Sequence, residues 1–347
     1  MVKKQAENEA YQRLKADLKA GTLRACYLLY GEEGYLRDYY CERMRKKLLQ
    51  GPAEAFNYHR FSRENLDWNQ VAAAVEAVPM LAERSLVEVD DVDPYQEPAG
   101  AREQITALLE DLPDHCCLVF RFDTVPFRPD KRLKRLHAAV SAHAQAVEFQ
   151  KQSGPELRAW TRRQALAAGK DMDNAACDHL AFLTDHSLQA MASELQKLTA
   201  YAEGPLITRQ DIDAVVEPTL TAVSFDISNA VAGGDYERAL GKLRDLLAMQ
   251  QDPILLLGAV ASQLRRLLCA KVLSEHGRGA EALQRLCGLG SYPARLAMDA
   301  ARRMRREFCE RAVLLCLETD RQLKTSYDDP RRLLELLLIR LAGEAGT

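Results

Sequence analysis

Between Ala25 and Tyr30 the chain is apolar, and it breaks at Gly31, the pattern of a strand buried on both faces. Leu36, Tyr39, Tyr40, Met44 and Leu48 then recur at helical spacing, which predicts a helix over 35–49. The alternation continues, with strands expected at 57–61, 85–89, 116–122 and 146–149. Helices are expected from Trp68 to Val78, over 105–112 and over 129–142. Strands alternating with helices imply a mostly parallel sheet covered on both faces. Residues 93–100, with two prolines, read as an exposed loop of this part.

After Gly154-Pro155 the strand signal fades. Helices are expected over 156–168, 174–183 and 188–201, the last carrying Leu188, Met191, Leu195 and Leu198 at helical spacing. Thr208 and Asp211 form a capping box for a short helix through Val216, and Pro218 marks a boundary. Beyond it, Asp235 caps a helix over 236–247, and Asp252-Pro253 supplies an N-cap and a proline at N1 for a helix through Leu268. Helices over 302–324 and 331–341 follow, the second opened by Asp329-Pro330. The expected architecture is an α/β domain over 1–150, a small helical domain over 151–217 and a larger helical domain over 218–347.

Composition agrees with several packed domains. The chain has 347 residues, and at roughly 150 residues per domain this allows two or three. With 28% charged residues it reads as soluble. Its longest apolar runs, 254–260 and 336–339, are far shorter than the ~18–20 residues of a bilayer span. The polar start, with no apolar leader segment, points to the cytoplasm and to no membrane partner. Net charge is −3, with 19 basic against 16 acidic residues over 218–347. That asymmetry is too small to argue duplex binding from charge alone. The nine cysteines include no C-x-x-C pair, and reduced thiols are expected. Cys309 and Cys316 fit one buried helix face, and Cys116-Cys117 opens an apolar strand. Cys177, His179 and His186 lack a fourth ligand at metal spacing and read as helix residues, so no metal site is expected.

The turn after the first strand, Gly31-Glu32-Glu33-Gly34, stands where a phosphate-binding loop would stand. Such a loop needs a lysine to pair with phosphates and a hydroxyl to hold Mg²⁺. Neither follows here, and Glu32 and Glu33 place negative charge where phosphates would sit. The run from Ser85 to Asp91 could pass for a Walker B strand, but it lacks that partner and is interrupted by Glu88. No nucleophile elbow or H-E-x-x-H occurs, so no catalytic residue and no cofactor is expected. The basic clusters 131–135 and 302–306 fall in expected helices and read as solvated faces, with weak DNA contact in a larger assembly as the alternative. At Val78-Pro79-Met80-Leu81 a proline ends a helix and leaves two apolar residues before a strand. They fit a core contact at the turn, or an exposed apolar anchor for a partner's pocket.

Several segments together, in order and spacing, resemble the delta subunit of the bacterial DNA polymerase III clamp loader. They are Tyr27-Leu28-Leu29-Tyr30-Gly31-Glu32-Glu33, the stretch from Phe127 to Leu136, Val147-Glu148-Phe149, and Leu188 through Tyr201 with Ile207-Thr208. Later pieces are Phe225-Asp226-Ile227, Gly234-Asp235, Ala239-Leu240, the stretch from Glu318 to Thr325, and Asp329-Pro330. The resemblance implies an AAA+ like module in the first two domains and a helical collar in the third. It also implies a subunit without ATPase activity that binds and opens the beta sliding clamp for loading onto primed DNA. Implied partners are the tau and gamma ATPase subunits, delta-prime, and weakly the primed DNA itself. In such proteins the clamp-binding element is an apolar pair just after a first-domain helix. Met80 and Leu81, flanked by Val78 and Pro79, match that position, with Leu81 where an aromatic is frequent. Two other readings of the residues are an active AAA+ ATPase with a divergent site and a helical scaffold or adaptor.

Overall fold

The computed structural model describes residues 2–49 and 51–345. The chain divides into two compact units, Met1–Gln152 and Ser153–Thr347. Residues 151–217 and 218–347, expected as separate helical domains, fall almost wholly in the second.

The first unit runs α1 (Val2–Ala20), β1 (Cys26–Tyr30), α2 (Gly34–Leu48), α3 (Glu54–Asn57), β2 (Tyr58–Ser62), α4 (Trp68–Glu76), β3 (Ser85–Asp90), α5 (Ala99–Glu110), β4 (Cys116–Arg121), α6 (Lys134–His143) and β5 (Ala144–Glu148). The strands form one parallel sheet in the order β2-β3-β4-β1-β5, with Leu28 paired to Phe120 and to Ala146. The three central strands are buried along almost their whole length, which is why they read as apolar runs. Helices α4, α5 and α6 close one face with Val71, Val75, Ile105, Leu109, Leu136 and Val140. On the other face Tyr11, Tyr40 and Phe149 form an aromatic cluster with ring centroids 5.4–5.7 Å apart.

Several expectations need correction. The helix α1 was not expected, because its buried stripe, Leu14 and Leu18, is thin within a charged segment. The helix expected from Pro129 begins only at Lys134, since the Asp130 carboxylate accepts from Arg132 N–H (2.9 Å) and holds residues 130–133 in a turn. Residues 93–100 are not an exposed loop. Asp93, Tyr95 and Glu97 are buried, Asp93 accepting from the backbone of Tyr95 and Arg128 and Glu97 pairing with Arg63 at 2.8 Å. Glu88 does not interrupt β3. It is buried within the strand and accepts from Tyr58 Oη at 2.8 Å, while burial keeps its carboxyl above the usual range.

The second unit is helical: α7 (Gly154–Ala167), α8 (Asn174–Leu183), α9 (Leu188–Tyr201), α10 (Arg209–Val215), α11 (Leu220–Ala232), α12 (Tyr236–Ala248), α13 (Pro253–Glu275), α14 (Ala280–Cys287), α15 (Ser291–Ala301), α16 (Arg306–Thr325) and α17 (Pro330–Ala345). The caps at Thr208, Asp235 and Asp252 form as expected, each side chain accepting from a first-turn N–H. One helix among the described residues, Pro253–Glu275, is long and apolar enough to cross a membrane. It packs with α11, α15 and α16, burying Leu256, Leu257, Val260, Leu264 and Leu267 in their core. The helix expected from Arg302 to Lys324 begins only at Arg306, and a break at 302–305 separates it from α15. Met304 turns into the core beside Cys309, and the apolar spacing Ala297, Ala301, Met304, Phe308 runs through the break and conceals it.

Candidate functional site

Two turns at the edges of the first unit's sheet hold the candidate residues. The carboxyl end of β1, where open α/β sheets usually take their ligands, carries Gly31–Gly34. Gly31 has φ +121°, and a Cβ there would stand 2.4 Å from the Phe149 carbonyl oxygen, so only glycine fits. The backbone of Phe149 donates to Tyr30 O (2.7 Å), and Glu33 N–H donates to Phe149 O (2.9 Å). A donor that would cradle a phosphate is thus spent on the main chain. Arg37, only 2% exposed, folds back under the loop, where its guanidinium pairs with Asp123 and lies 3.4 Å from Gly31 O. Glu32 is exposed, and burial raises the Glu33 carboxyl, with Lys151 partly opposing. The loop is filled by its own chain.

The acids at the end of β3 are engaged as fully. Arg121 binds Asp90 through two nitrogens (2.8 and 2.9 Å), and Arg60 adds a third contact at 2.6 Å. Asp91, at φ +54°, accepts from the backbone N–H groups of Asp123, Thr124 and Val125 and from the Thr124 hydroxyl. Burial alone would raise the Asp90 carboxyl, but the hydrogen bonds from Arg121 and Arg60 outweigh it and hold it below the usual carboxylate range. A carboxylate depressed in this way stabilises the fold above its unfolded value of ~3.9 and loses that contribution as pH falls through the lower folded value. The melting temperature should therefore begin to fall at about pH 5 and lose most of this contribution below about pH 4. Asp90→Asn should melt lower at pH 7 and change less over that range; parallel curves would contradict the assignment.

The second turn joins α4 to β3. Helix α4 ends at Glu76, two residues before the Val78 end expected of a helix running into Pro79. In the turn, Val78, Met80 and Leu81 are exposed by 80%, 57% and 79%, and Pro79 is half-buried. The apolar pair is outside, and the core contact is not formed. The backbone that carries it is fixed. Asn57, 2% exposed at the end of α3, accepts from Met80 N–H through Oδ1 (2.7 Å) and donates through Nδ2 to the carbonyls of Met80 (2.6 Å) and Ala53 (2.7 Å). Leu81 follows at φ +58°, a left-handed conformation unfavourable for leucine. Arg84 then donates to the carbonyls of Cys116 (2.7 Å) and Arg24 (3.1 Å), tying the far end to the sheet. Phe56, next to Asn57, is also exposed. Asn57 and Arg84, which tie the two ends of this turn, are the residues that sequence reasoning missed.

The basic clusters lie only partly on helices, with Lys134 and Arg135 opening α6 and Arg306 opening α16. Residues 131–133 lie in a turn, and 302–305 form the break between α15 and α16. Within them Arg132 pairs with Asp130, Arg135 with Glu110 and Arg306 with Glu310. His186 lies in the turn after α8, while His179 within it contacts Asp213 at 2.6 Å and Cys177 is buried with its thiol pushed up to about 11. Among the described residues no group of three or more His, Cys, Asp or Glu side chains could hold a metal ion. In the second unit α16 and α17 leave Leu314, Leu317, Leu336 and Ile339 exposed, beside the Glu318–Arg340 ion pair.

Comparison with known proteins adds three findings. Two family models match, one described as DNA polymerase III, delta subunit, over residues 27–150, and one as the C-terminal domain of that subunit over 222–341. The chain is 26% identical over 330 residues to DNA polymerase III subunit delta of Bacillus subtilis, covering 93% of this chain and 94% of that one. The Escherichia coli subunit delta is 26% identical over 268 residues, 76% of each chain. A solved structure titled Bacillus subtilis DNA clamp loader delta protein superposes with a TM-score of 0.61 at 25% identity, covering 95% of this chain and 99% of that one. The α/β fold followed by helices, expected from the sequence, is the fold of that structure.

Proposed function

Because this chain belongs to the DNA polymerase III delta-subunit family and is a clamp-loader component, we propose that it binds the beta sliding clamp through Met80 and Leu81 and helps open it for loading onto primed DNA. The observation that carries this reading is an exposed apolar pair on a backbone that Asn57 holds rigid. Isolated exposed apolar residues are ordinary, but a pre-ordered cluster of Val78, Met80 and Leu81 is an anchor that loses little entropy on docking. Ring opening then follows from differential affinity: the subunit need only hold the opened clamp interface better than the closed one.

The same reading makes the chain a non-catalytic member of its assembly. With the β1 turn closed by Phe149 and Arg37, and Asp90 held by two arginines, ATP is handled by the tau and gamma subunits. Delta-prime completes the loader. Residues 1–150 would carry the clamp element, 151–217 the lid and 218–347 the collar, whose exposed Leu314, Leu317 and Ile339 would face sister subunits. Contact with primed DNA is weak and shared with those subunits. The loader works in the cytoplasm, where replication takes place in bacteria.

Calorimetric titration of the purified chain with Mg–ATP to millimolar concentration should give no saturable heat. Clamp should be recovered when the chain is used as bait in extract of the same cells. Saturable ATP binding would favour a divergent ATPase, and failure to recover clamp would favour an unrelated scaffold.

A further inference from the structure

The second unit contains a cavity of about 130 Å³ that the clamp-loading role does not use. That is well above the ~10–15 Å³ needed to hold one water. Its walls come from four helices and their ends. Gln263 and Arg266, one turn apart on α13, line one side, and Thr221, in the first turn of α11, another. Asp185 and His186, which follow α8, and Gly290, just before α15, add to the polar side, while Phe182, Phe225, Leu289, Pro293 and Ala297 make the rest of the wall apolar. The polar groups are unspent. Gln263 is 4% exposed, yet its amide bonds to no described residue. Arg266 pairs with no carboxylate among the described residues, and the Thr221 hydroxyl has no partner there. His186 Nε2 lies 3.3 Å from where a Cβ on Gly290 would stand, so glycine keeps this wall open.

We propose that this cavity binds a small tetrahedral oxyanion of the phosphate class. The arginine, the glutamine amide and the threonine hydroxyl together present donors suited to phosphate oxygens. Asp185 is the one acidic side chain in the lining. It would repel a fully deprotonated anion and accept the proton that monohydrogen phosphate still carries. The site therefore favours phosphate over sulfate, which has the same shape and no proton to offer. Burial lowers the His186 pKa, so near neutral pH its ring is a hydrogen-bonding group rather than a second cation.

The test uses the full chain and inorganic phosphate at pH 7.5, with melting temperature followed against phosphate, sulfate and chloride at matched ionic strength. Phosphate should raise it saturably, and sulfate should need about tenfold more or fail to act. Arg266→Gln should weaken the phosphate response about tenfold, the loss of one charge-assisted contact. Thr221→Val, nearly isosteric, should weaken it less and serves if the arginine variant fails to fold. Asp185→Asn should bring sulfate closer to phosphate. Equal shifts with phosphate and chloride would overturn the proposal, as would a phosphate response unchanged in both Arg266→Gln and Thr221→Val.

Discussion

Leu81→Ala is expected to weaken binding to the sliding clamp about 30-fold and to leave folding stability almost unchanged. The two effects separate because the side chain is exposed in the free subunit. Truncating an exposed residue usually moves stability by no more than ~0.5 kcal/mol. In the complex the same side chain would enter an apolar pocket, where burial is worth roughly 1.5–3 kcal/mol. A loss of ~2 kcal/mol corresponds to ~30-fold in affinity. Alanine is the informative replacement, since it keeps a Cβ at φ +58° and so leaves the backbone strain unchanged. Leu81→Asn, whose side chain tolerates the left-handed conformation, should fold at least as well and bind no better than Leu81→Ala. Met80→Ala should show a similar loss. Surface plasmon resonance with immobilised clamp, beside thermal melts, checks both halves. Unchanged affinity in Met80→Ala and Leu81→Ala would remove this turn from the account.

Asn57→Ala should damage binding without touching the binding surface. The substitution deletes three hydrogen bonds, two to Met80 and one to Ala53. Met80 is exposed and its backbone can turn to water, whereas the Ala53 carbonyl lies under a buried residue. Leaving a buried acceptor unpaired costs about 1–3 kcal/mol, so the melting temperature should fall by several degrees. The turn would also lose the contacts that enforce a left-handed Leu81, worth about 1–2 kcal/mol. Clamp affinity should then drop roughly 5–30-fold, as the complex must rebuild that conformation. Measured well below the melting transition, this loss separates positioning from general instability. Asn57→Asp keeps the acceptor for Met80 N–H but sets a carboxylate against two carbonyls, and should rescue little. Parental affinity in a folded Asn57→Ala would mean that the turn holds its shape by other contacts.

What the sequence disclosed follows from where each interaction lies along the chain. Strands β1, β3 and β4 were legible because burial on both faces leaves an apolar run, and the helix starts at Thr208, Asp235 and Asp252 because a cap reaches only two or three residues. Glu88, Asp93 and Glu97 were misread as breaks or solvent-facing groups, since the tyrosine or arginine that satisfies each lies about thirty residues away. The kink at 302–305 was hidden by apolar spacing that continues through it, and α14 and α15 by the glycines around them. At the candidate site, the absence of a phosphate-binding lysine after Gly31 was plain. That Arg37 fills the space was not, because nothing in a helix marks which arginine turns inward. An apolar pair such as Met80-Leu81 looks the same whether buried or exposed. Only the contact with Asn57, 23 residues earlier, decides it.

The most direct measurement places a photo-crosslinking amino acid at Val78, the exposed member of the proposed anchor that precedes Met80 and Leu81. Irradiated with purified clamp and no nucleotide, this variant should form a covalent adduct with the clamp, and a control carrying the crosslinker at Leu166, exposed in the helical unit, should form none. An adduct from Leu166 and none from Val78 would contradict the account, because the clamp would then sit elsewhere on the chain.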